Sequence, residues 1–446
     1  MRSREEVFEL CGRTLEMAAG FEAELIFEAG EKALTRFASN VIHQNMQQYT
    51  ESLTLRILKD GRTGRASTDR FDDRSLAAML QTAREAWAAD AGCGETPPLP
   101  GPQEYKSVEA YSLRTAELTP EMRAETVSRA VARCRAAGLE AAGIFSNDSQ
   151  QVAVANSRGL FAWHPATLAK FSLTAADTDS SGWASTSNVD AAALEIDSSI
   201  EKAVLTALES RNPQSLEPGE YTLVLPPEAV GDFMYFLAWR AFNGLAFASG
   251  RSPLSGRIGQ KFMGDNISIR DDAYHTLHTG MPFDFEGLPR RRVSLMENGI
   301  AKAVVHDSRS AAMCDAVSSG HALPMPNVWG PIPLHLVLDA GNCSLADMIA
   351  DTEKGLLVTH FHYTNLVDPM RISITGMTRD GVFIIENGKI VGAARNMRFT
   401  ESAFRMLSNV DMLGGELRLV GGGFGTGAVL PAMRVRNFTF TSGTEF

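Results

Sequence analysis

The stretch "LPPEAVGDFMYFLAWRAF", residues 225–242, decides how the second half of this chain folds. Two prolines open the stretch, and proline is tolerated in the first turn of a helix because the amides there have no partner within the helix. An aromatic and apolar run of several turns follows, so the stretch predicts a helix that packs into a core. Glu228 lies in the first turn, where the helix dipole favours negative charge. Glu228 and Asp232 are four residues apart and therefore share one face of the predicted helix.

Two stretches that contain proline and glycine divide the chain on the N-terminal side of this helix. The first, "CGETPPLPGPQEY" (residues 93–105), is rich in proline and predicts an extended connector. The second, "SRNPQSLEPGEY" (residues 210–221), ends a helical pattern and precedes an apolar strand. We therefore predict three domains, at residues 1–95, 115–212 and 219–446.

Local patterns in these three segments predict the fold class. The first segment contains two alternating runs around Asp60-Gly61, which favours a hairpin. The second opens with Thr119-Pro120, a helix cap followed by proline at the first helical position. The third has one aromatic helix and then many strand-like runs, two of which turn at Asn-Gly pairs (residues 298–299 and 387–388). These patterns predict an α+β, multi-domain protein with α/β segments first and a β-rich C-terminal domain.

Composition excludes several classes of function. The chain has 446 residues, with Lys+Arg 42 against Asp+Glu 53 and a net charge of −11, so it lacks the basic excess of a general nucleic-acid binder. Its most apolar run, residues 233–247, is interrupted by Arg240 and is too short to span a bilayer. No secretory signal is recognised at the N-terminus. Five cysteines are scattered without a CxxC spacing, which favours free thiols in a reducing compartment. We therefore expect a cytoplasmic protein that binds neither nucleic acid nor membrane.

Three patterns could carry chemistry, and none of them decides a function by itself. The run "GGGFGTG" (residues 421–427) lacks the spacing of a nucleotide loop, so its glycines fit better with a close approach of backbone or peptide. His275 and His278 lie three residues apart. His360 and His362 lie two apart and would share one face of a strand. Either histidine pair could bind zinc or could simply form hydrogen bonds.

From about residue 20 onward the chain resembles the TldD/PmbA proteins, once described as modulators of DNA gyrase and now regarded as peptidases of unfolded peptides. The resemblance rests on several phrases that follow the order of the family. They are "LTRFASNVIHQN", "FDFEGLP" (283–289), "HDSRSAA" (306–312), "SSGHALPMPN", "GLLVTHFHYTN" and "VGGGFGTGAVLP".

The resemblance implies a zinc site that this chain has lost. Active, TldD-like members begin the helix with His-Glu-x-x-x-His, in which the histidines bind zinc and the glutamate acts as general base. The corresponding residues here are Pro227, Glu228 and Asp232, so Glu228 is a vestigial catalytic residue and the other two are degenerate ligand positions. A cysteine near the glycine-rich segment resembles the third ligand, and residues 421–427 contain none. No metal is therefore expected in this chain, whereas zinc is expected in an active TldD-like partner.

The same resemblance favours the PmbA (TldE-type) branch, whose members are similar to non-catalytic subunits of a metallopeptidase. It implies a homodimer, or a heterodimer with a TldD-like subunit that carries HExxxH, acting on unfolded peptides. The family's C-terminal domain is thought to hold an extended peptide by strand addition. Candidate positions for that groove, or for the subunit interface, are His360, His362, Asn365, Gly421, Gly422 and Gly423.

Two alternatives remain open at this point. One is a metallopeptidase with a relocated metal site built from His275, His278, His360 and His362. The other is a homodimeric peptide-binding protein without protease activity.

Overall fold

The computed structural model describes residues 1–92, 97–278, 280–421 and 427–444. These residues form ten α-helices, seventeen strands and one short 3-10 helix at Ala191–Ala193. The helices are α1 (Arg4–Met17), α2 (Asp73–Ala89), α3 (Leu113–Ala116), α4 (Pro120–Ala136), α5 (Ile196–Glu209), α6 (Pro227–Arg240), α7 (Gly244–Ala248), α8 (Ser308–Met313), α9 (Leu345–Ala350) and α10 (Ala403–Ser408).

The strands fall into two sheets. The first sheet contains β1 (Glu22–Ala38), β2 (Val41–Lys59), β3 (Arg62–Thr68), β4 (Glu140–Asn156), β5 (Phe161–Ala176) and β6 (Ser181–Asn188). The second contains β7 (Gly219–Leu225), β8 (Ile269–Asp271), β9 (Val293–Glu297), β10 (Ile300–Ala301), β11 (Leu336–Leu338), β12 (Lys354–Asp368), β13 (Ser373–Glu386), β14 (Lys389–Ala393), β15 (Met397–Ser402), β16 (Val410–Gly421) and β17 (Gly427–Gly443).

The first sheet has the order β3-β2-β1-β4-β5-β6, so strands from the first and second predicted segments lie side by side. The hairpin predicted at Asp60-Gly61 joins β2 to β3, and both turn residues have positive φ, as a tight two-residue turn requires. Helices α1 and α2 bury an apolar face against one half of this sheet. Helices α4 and α5 do the same at the other half.

The second sheet closes on itself through β7. Strand β7 pairs in parallel with β12 and antiparallel with β17, while β17, β15, β13 and β12 follow one another, so five strands form a ring. Helix α6 packs against this ring. Its Phe233 contacts the rings of Phe361, Phe399 and Phe438 at centroid distances of 5.7, 5.7 and 6.1 Å. Burial of such large aromatic side chains dominates the energetics of a core.

The predicted α+β, multi-domain class with a β-rich C-terminal half is confirmed, and the aromatic helix lies where the sequence placed it. Both Asn-Gly pairs of the third segment form turns, with positive φ at Asn298, Gly299, Asn387 and Gly388. Among the described residues, no helix has the length and apolar character needed to cross a bilayer.

Candidate functional site

The candidate site begins where β7 runs into α6. Pro226 caps the helix with extended backbone, and Pro227 occupies the first helical turn. A Cβ added at Gly231 would lie 2.9 Å from Cγ1 of Val420, so the glycine permits a close approach between α6 and β16. The helix start is therefore fixed by two prolines and packed tightly by one glycine, with Glu228 and Asp232 on its polar side.

Glu228 is held by a lysine from another part of the chain. Its Oε1 accepts a hydrogen bond from Nζ of Lys202, on α5, at 3.0 Å, and its side chain is only 12% exposed. The second oxygen, Oε2, is buried and has no hydrogen-bond partner among the described residues. Burial alone would raise the pKa of Glu228, but the Lys202 ammonium, a backbone hydrogen bond and the charge of Arg418 together outweigh it, and the pKa lies below its usual value. The carboxylate is therefore charged and paired, which makes it a weak base.

Asp232, one turn further along α6, connects the helix to β12. Its Oδ2 accepts a hydrogen bond from Oγ1 of Thr364 at 3.1 Å. Burial raises the pKa of Asp232, and the nearby His360 and the Thr364 hydrogen bond oppose that rise. The position that resembles a zinc ligand therefore contributes a carboxylate that is already hydrogen-bonded to a neighbouring strand.

His360, on β12, is oriented by a buried carboxylate. Its Nδ1 lies 3.2 Å from Oδ2 of Asp380, whose other oxygen accepts a hydrogen bond from Oγ of Ser181 at 2.8 Å. The imidazole stacks on the ring of Trp183 at a centroid distance of 4.5 Å and an angle of 10°. Because Ser181 and Trp183 belong to β6, His360 lies at the junction between the two sheets.

The other candidate positions on β12 lie along the same strand. His362 is half-buried, with its ring centroid 6.4 Å from that of His360, and its pKa is lowered by burial and by Arg379. Asn365 is exposed and donates a hydrogen bond to the carbonyl of Tyr363 at 3.1 Å. Thr364, between them, contacts Asp232. The structure thus brings this part of β12 next to the start of α6.

The same part of β12 has a free edge. Strand β12 pairs with β7 only at Leu356 and Leu357, and beyond them the described chain provides no strand on that side. On its other side β12 pairs with β13 as far as Asp368, with register shifts at three points. A free strand edge presents unpaired backbone groups to which an extended chain can add.

The glycine-rich segment lies mostly outside the described residues. Gly421 ends β16 and pairs with Gly427, the first residue of β17. Gly422 and Gly423, proposed as groove residues from the sequence, belong to residues 422–426, which the structure does not describe.

A largely apolar cleft of about 660 Å³ lies on the other side of α6. Met234, Tyr235, Ala238 and Trp239 form its helical wall, and the opposite wall comes from residues 323–336 and from the facing ends of β16 and β17. Of the described lining residues, only Glu28, on β1, is an acidic or basic residue. Sequence reasoning missed this cleft because its walls come from four distant segments; the aromatic run of α6 was its one local signal.

The residues at the helix start do not fit a zinc ion. Pro227 has no side-chain donor atom. One oxygen of Glu228 accepts a hydrogen bond from Lys202, and one oxygen of Asp232 accepts a hydrogen bond from Thr364. Zinc sites are built mostly from imidazole and thiolate, with three or four protein ligands. Within residues 1–92, 97–278, 280–421 and 427–444, no group of three or more His, Cys, Asp or Glu side chains is arranged to hold a metal.

The first histidine pair has different neighbours from the second. His278 is buried, with Nε2 3.0 Å from the carbonyl oxygen of Leu336, and its ring packs 5.4 Å from that of His335. His275 is more exposed and lies 6.3 Å from His278, centroid to centroid. Among the described residues, the two histidine pairs therefore do not form a complete set of ligands for the relocated metal site.

A buried polar cluster lies near His278 and was not predicted from the sequence. Asp271 is fully buried, and its carboxylate contacts Nε2 of His321 at 2.9 Å and the backbone amide of His335 at 2.8 Å. Burial would raise the pKa of Asp271, but His321, His335 and Arg290 lower it well below its usual range. His321 and Arg290 stand within or beside two of the quoted family phrases, which was the only sequence signal. We read this cluster as a structural centre of the C-terminal half.

Comparisons with known proteins give matches over most of the chain. Three family models match in order: PmbA/TldA metallopeptidase domain 1 at residues 23–89, the central domain at 108–211 and the C-terminal domain at 218–442. A Buchnera aphidicola protein named as a metalloprotease TldD homolog is 25% identical over 263 residues, 55% of this chain and 53% of that protein. A Methanothermobacter thermautotrophicus metalloprotease is 25% identical over 223 residues, 49% of this chain and 47% of that protein. The chain thus spans about half the length of these curated relatives.

Two solved structures share the fold over almost their whole length. TldE from Thermococcus kodakarensis has a TM-score of 0.86 and 19% identity, covering 98% of this chain and 99% of its own. A Thermotoga maritima protein named as a modulator of a DNA gyrase has a TM-score of 0.87 and 18% identity, covering 98% of this chain and 100% of its own. At these identities the likeness establishes the fold.

Proposed function

Because the chain belongs to the PmbA/TldD metallopeptidase family, we propose that it is a TldE-like subunit that binds unfolded peptides and has no catalytic zinc of its own. The observation that carries this proposal is the ion pair between Glu228 and Lys202 at 3.0 Å. A glutamate that activates water near neutral pH must be free to accept a proton, which calls for a raised pKa. The pKa of Glu228 is lowered instead, and its Oε1 accepts a hydrogen bond from the ammonium group of Lys202.

The loss of donors at the ligand positions supports the same reading. Proline at 227 removes one ligand outright, and residues 421–427 of the sequence contain no cysteine that could serve as a third. Asp232 could offer only a carboxylate, and it is hydrogen-bonded to Thr364. Glu228 then serves as an acid in the first turn of α6 that ties the helix to α5.

Peptide binding is supported by two features that flank α6. The free edge of β12 beyond Leu357 could receive an extended peptide through backbone hydrogen bonds, with His360, His362 and Asn365 along it. The apolar cleft could accept side chains of an unfolded segment, which exposes apolar groups that a folded protein buries. Binding of a peptide by either feature would depend little on the sequence of that peptide.

We further propose that the subunit acts in the cytoplasm, either with a TldD-like partner that carries HExxxH or as a homodimer. Four of the cysteines, Cys11, Cys134, Cys314 and Cys343, are free thiols, which suits a reducing compartment. A homologous chain with an intact motif in the same genome would favour the two-subunit protease. Its absence would favour a peptide-binding homodimer without protease activity.

Peptide binding can be tested by fluorescence anisotropy with a labelled unfolded peptide rich in apolar residues. We expect the intact chain to bind the peptide without cleaving it. Tyr235→Ala, which removes a ring from the wall of the cleft, should weaken binding by about tenfold, the loss expected for a buried aromatic contact.

Tyr111→Ala is the matched control, because Tyr111 is exposed to a similar extent (42% against 36%) and does not line the cleft. Binding that is unchanged by Tyr235→Ala, or weakened equally by both substitutions, would contradict a role for the cleft. Cleavage of the peptide by the chain alone would contradict the non-catalytic part of the proposal.

A further inference from the structure

The first half of β2 is exposed to an unusual degree for a strand. Nine of the ten residues 41–50 are exposed, although the strand is paired with β1 from Val41 to Leu58. On its other side, β2 pairs with β3 only from Leu53 to Lys59. No strand in the described part of the chain covers the outer edge of residues 41–52.

From Gln44 onward, this edge has none of the features that usually prevent pairing with another chain. Residues 41–50 read V-I-H-Q-N-M-Q-Q-Y-T and include no Lys, Arg, Asp, Glu, Pro or Gly. Exposed edges normally carry charges, proline or a bulge, because their unpaired amides and carbonyls otherwise recruit a further strand. The β1–β2 register shifts once, where Arg36 pairs with Gln44 and Phe37 with Ile42, so His43 forms a bulge near the turn. From Gln44 to Leu58 the register is continuous. The edge is therefore long, regular and neutral.

We propose that the outer edge of residues 41–52, here called the β2 edge, pairs antiparallel with the β2 edge of a second copy of this chain. Two copies repel each other over most of their surface, because each has a net charge of −11. Over the charge-free residues 41–50, two copies can approach without like charges in contact. The next acid along the strand, Glu51, is paired with Arg2 through two hydrogen bonds, both at 3.0 Å, and Glu31 of β1 accepts a hydrogen bond from Gln47.

Symmetry limits how the two edges can meet. A two-fold axis between antiparallel strands stands perpendicular to the sheet and maps each face onto itself, so directly opposed residues have numbers whose sum is even. Pairing centred on Met46 sets Gln44 opposite Gln48 of the other copy and Asn45 opposite Gln47. The result is one sheet that runs through both copies, and the exposed side chains of Val41, Ile42 and Tyr49 gain neighbours. The proposed pairing of the two copies does not depend on the function proposed for the site at the start of α6.

The test is the double substitution Gln44→Lys/Gln48→Lys, followed by sedimentation equilibrium of the intact chain over a range of concentrations. Both glutamines are exposed, but they lie opposite Arg36 and Lys32 of β1 in the same chain, so urea unfolding of the variant is measured alongside to establish that it is folded. In the proposed pairing, each lysine faces a lysine of the other copy, and we expect the dimer dissociation constant to rise by about tenfold. The matched control is Gln81→Lys/Gln103→Lys, which makes the same change in net charge at two exposed sites away from the β2 edge.

Hydrogen exchange provides a second readout that a general charge effect would not change. Amides of residues 41–50 should exchange more slowly in the dimer of the unsubstituted chain than in the variant. Three results would overturn the proposal: a chain that stays monomeric at every concentration, a dimer unaffected by Gln44→Lys/Gln48→Lys, or equal weakening by the control pair. Loss of association in the first variant alone, with protection lost at residues 41–50, would establish the β2 edge as the interface.

Discussion

Glu228 lies in the first turn of α6, and we propose that it has a structural role there in place of a catalytic one. The glutamate stands at the start of α6 as the family pattern requires, but its Oε1 is bound by Lys202. The sequence predicted the helix and the position of the acid in its first turn, because these depend on residues close together in the chain. It could not predict Lys202, which lies 26 residues earlier and reaches Glu228 only through the packing of α5.

Replacement of Lys202 by Met tests this ion pair. We expect the free energy of unfolding at pH 7 to fall by about 1–2 kcal/mol, since a buried carboxylate loses its partner while solvent already screens the 40% exposed lysine. Urea unfolding measured from pH 3 to pH 7 would give the difference, with Lys202→Arg as a control that keeps the cation.

The pH dependence has a definite sign. The folded pKa of Glu228 lies below its unfolded value, so the stability it contributes is present above the unfolded pKa, near 4.5, and is lost as the pH falls through the folded pKa. The destabilisation by Lys202→Met should therefore be full at pH 7 and shrink in acid. A difference that does not change between pH 3 and pH 7 would show that the ion pair contributes no stability.

At the scale of elements, the placement of Lys202 depends on how closely α5 approaches β6. A Cβ added at Gly182 of β6 would lie 2.1 Å from the carbonyl oxygen of Ala203 and 2.6 Å from the amide of Ala207, both in α5. Only glycine fits between these backbones.

Gly182→Ala should therefore push α5 away from the first sheet and lower the free energy of unfolding by about 1–3 kcal/mol, the usual range for overpacking. Thermal and urea unfolding would measure the change. Gly12→Ala in α1 is the matched control, because nothing lies within 4 Å of its added Cβ and alanine is the better helix former. If both variants unfold alike, the close contact does not restrain α5.

Hairpins and helix starts could be predicted from the sequence, whereas pairings between distant strands could not. Asp60-Gly61 and the two Asn-Gly pairs form their turns because positive φ is a local requirement. The pairing of β1 with β4, the ring closed by β7 and the short contact between β7 and β12 leave no comparable local pattern. The free edge of β12 and the apolar cleft follow from these long-range pairings, so the sequence could name His360 and His362 but not what surrounds them.

At the scale of the whole molecule, the candidate site lies where the two sheets meet. Lys202 reaches Glu228 from α5, and Trp183 of β6 stacks on His360 of β12. Side chains from α5 and β6 thus lie beside the start of α6. The three predicted domain boundaries remain a prediction, although the first two segments share one sheet.

The central claim is that this chain binds no catalytic zinc by itself, and its zinc content tests that claim most directly. The intact chain would be purified alone, incubated with excess zinc, freed of loose metal and analysed by plasma mass spectrometry, beside an assay with unfolded casein. We predict far less than one zinc per chain and no cleavage that a chelator can stop. One zinc per chain, retained against a competing chelator and required for cleavage, would contradict the account.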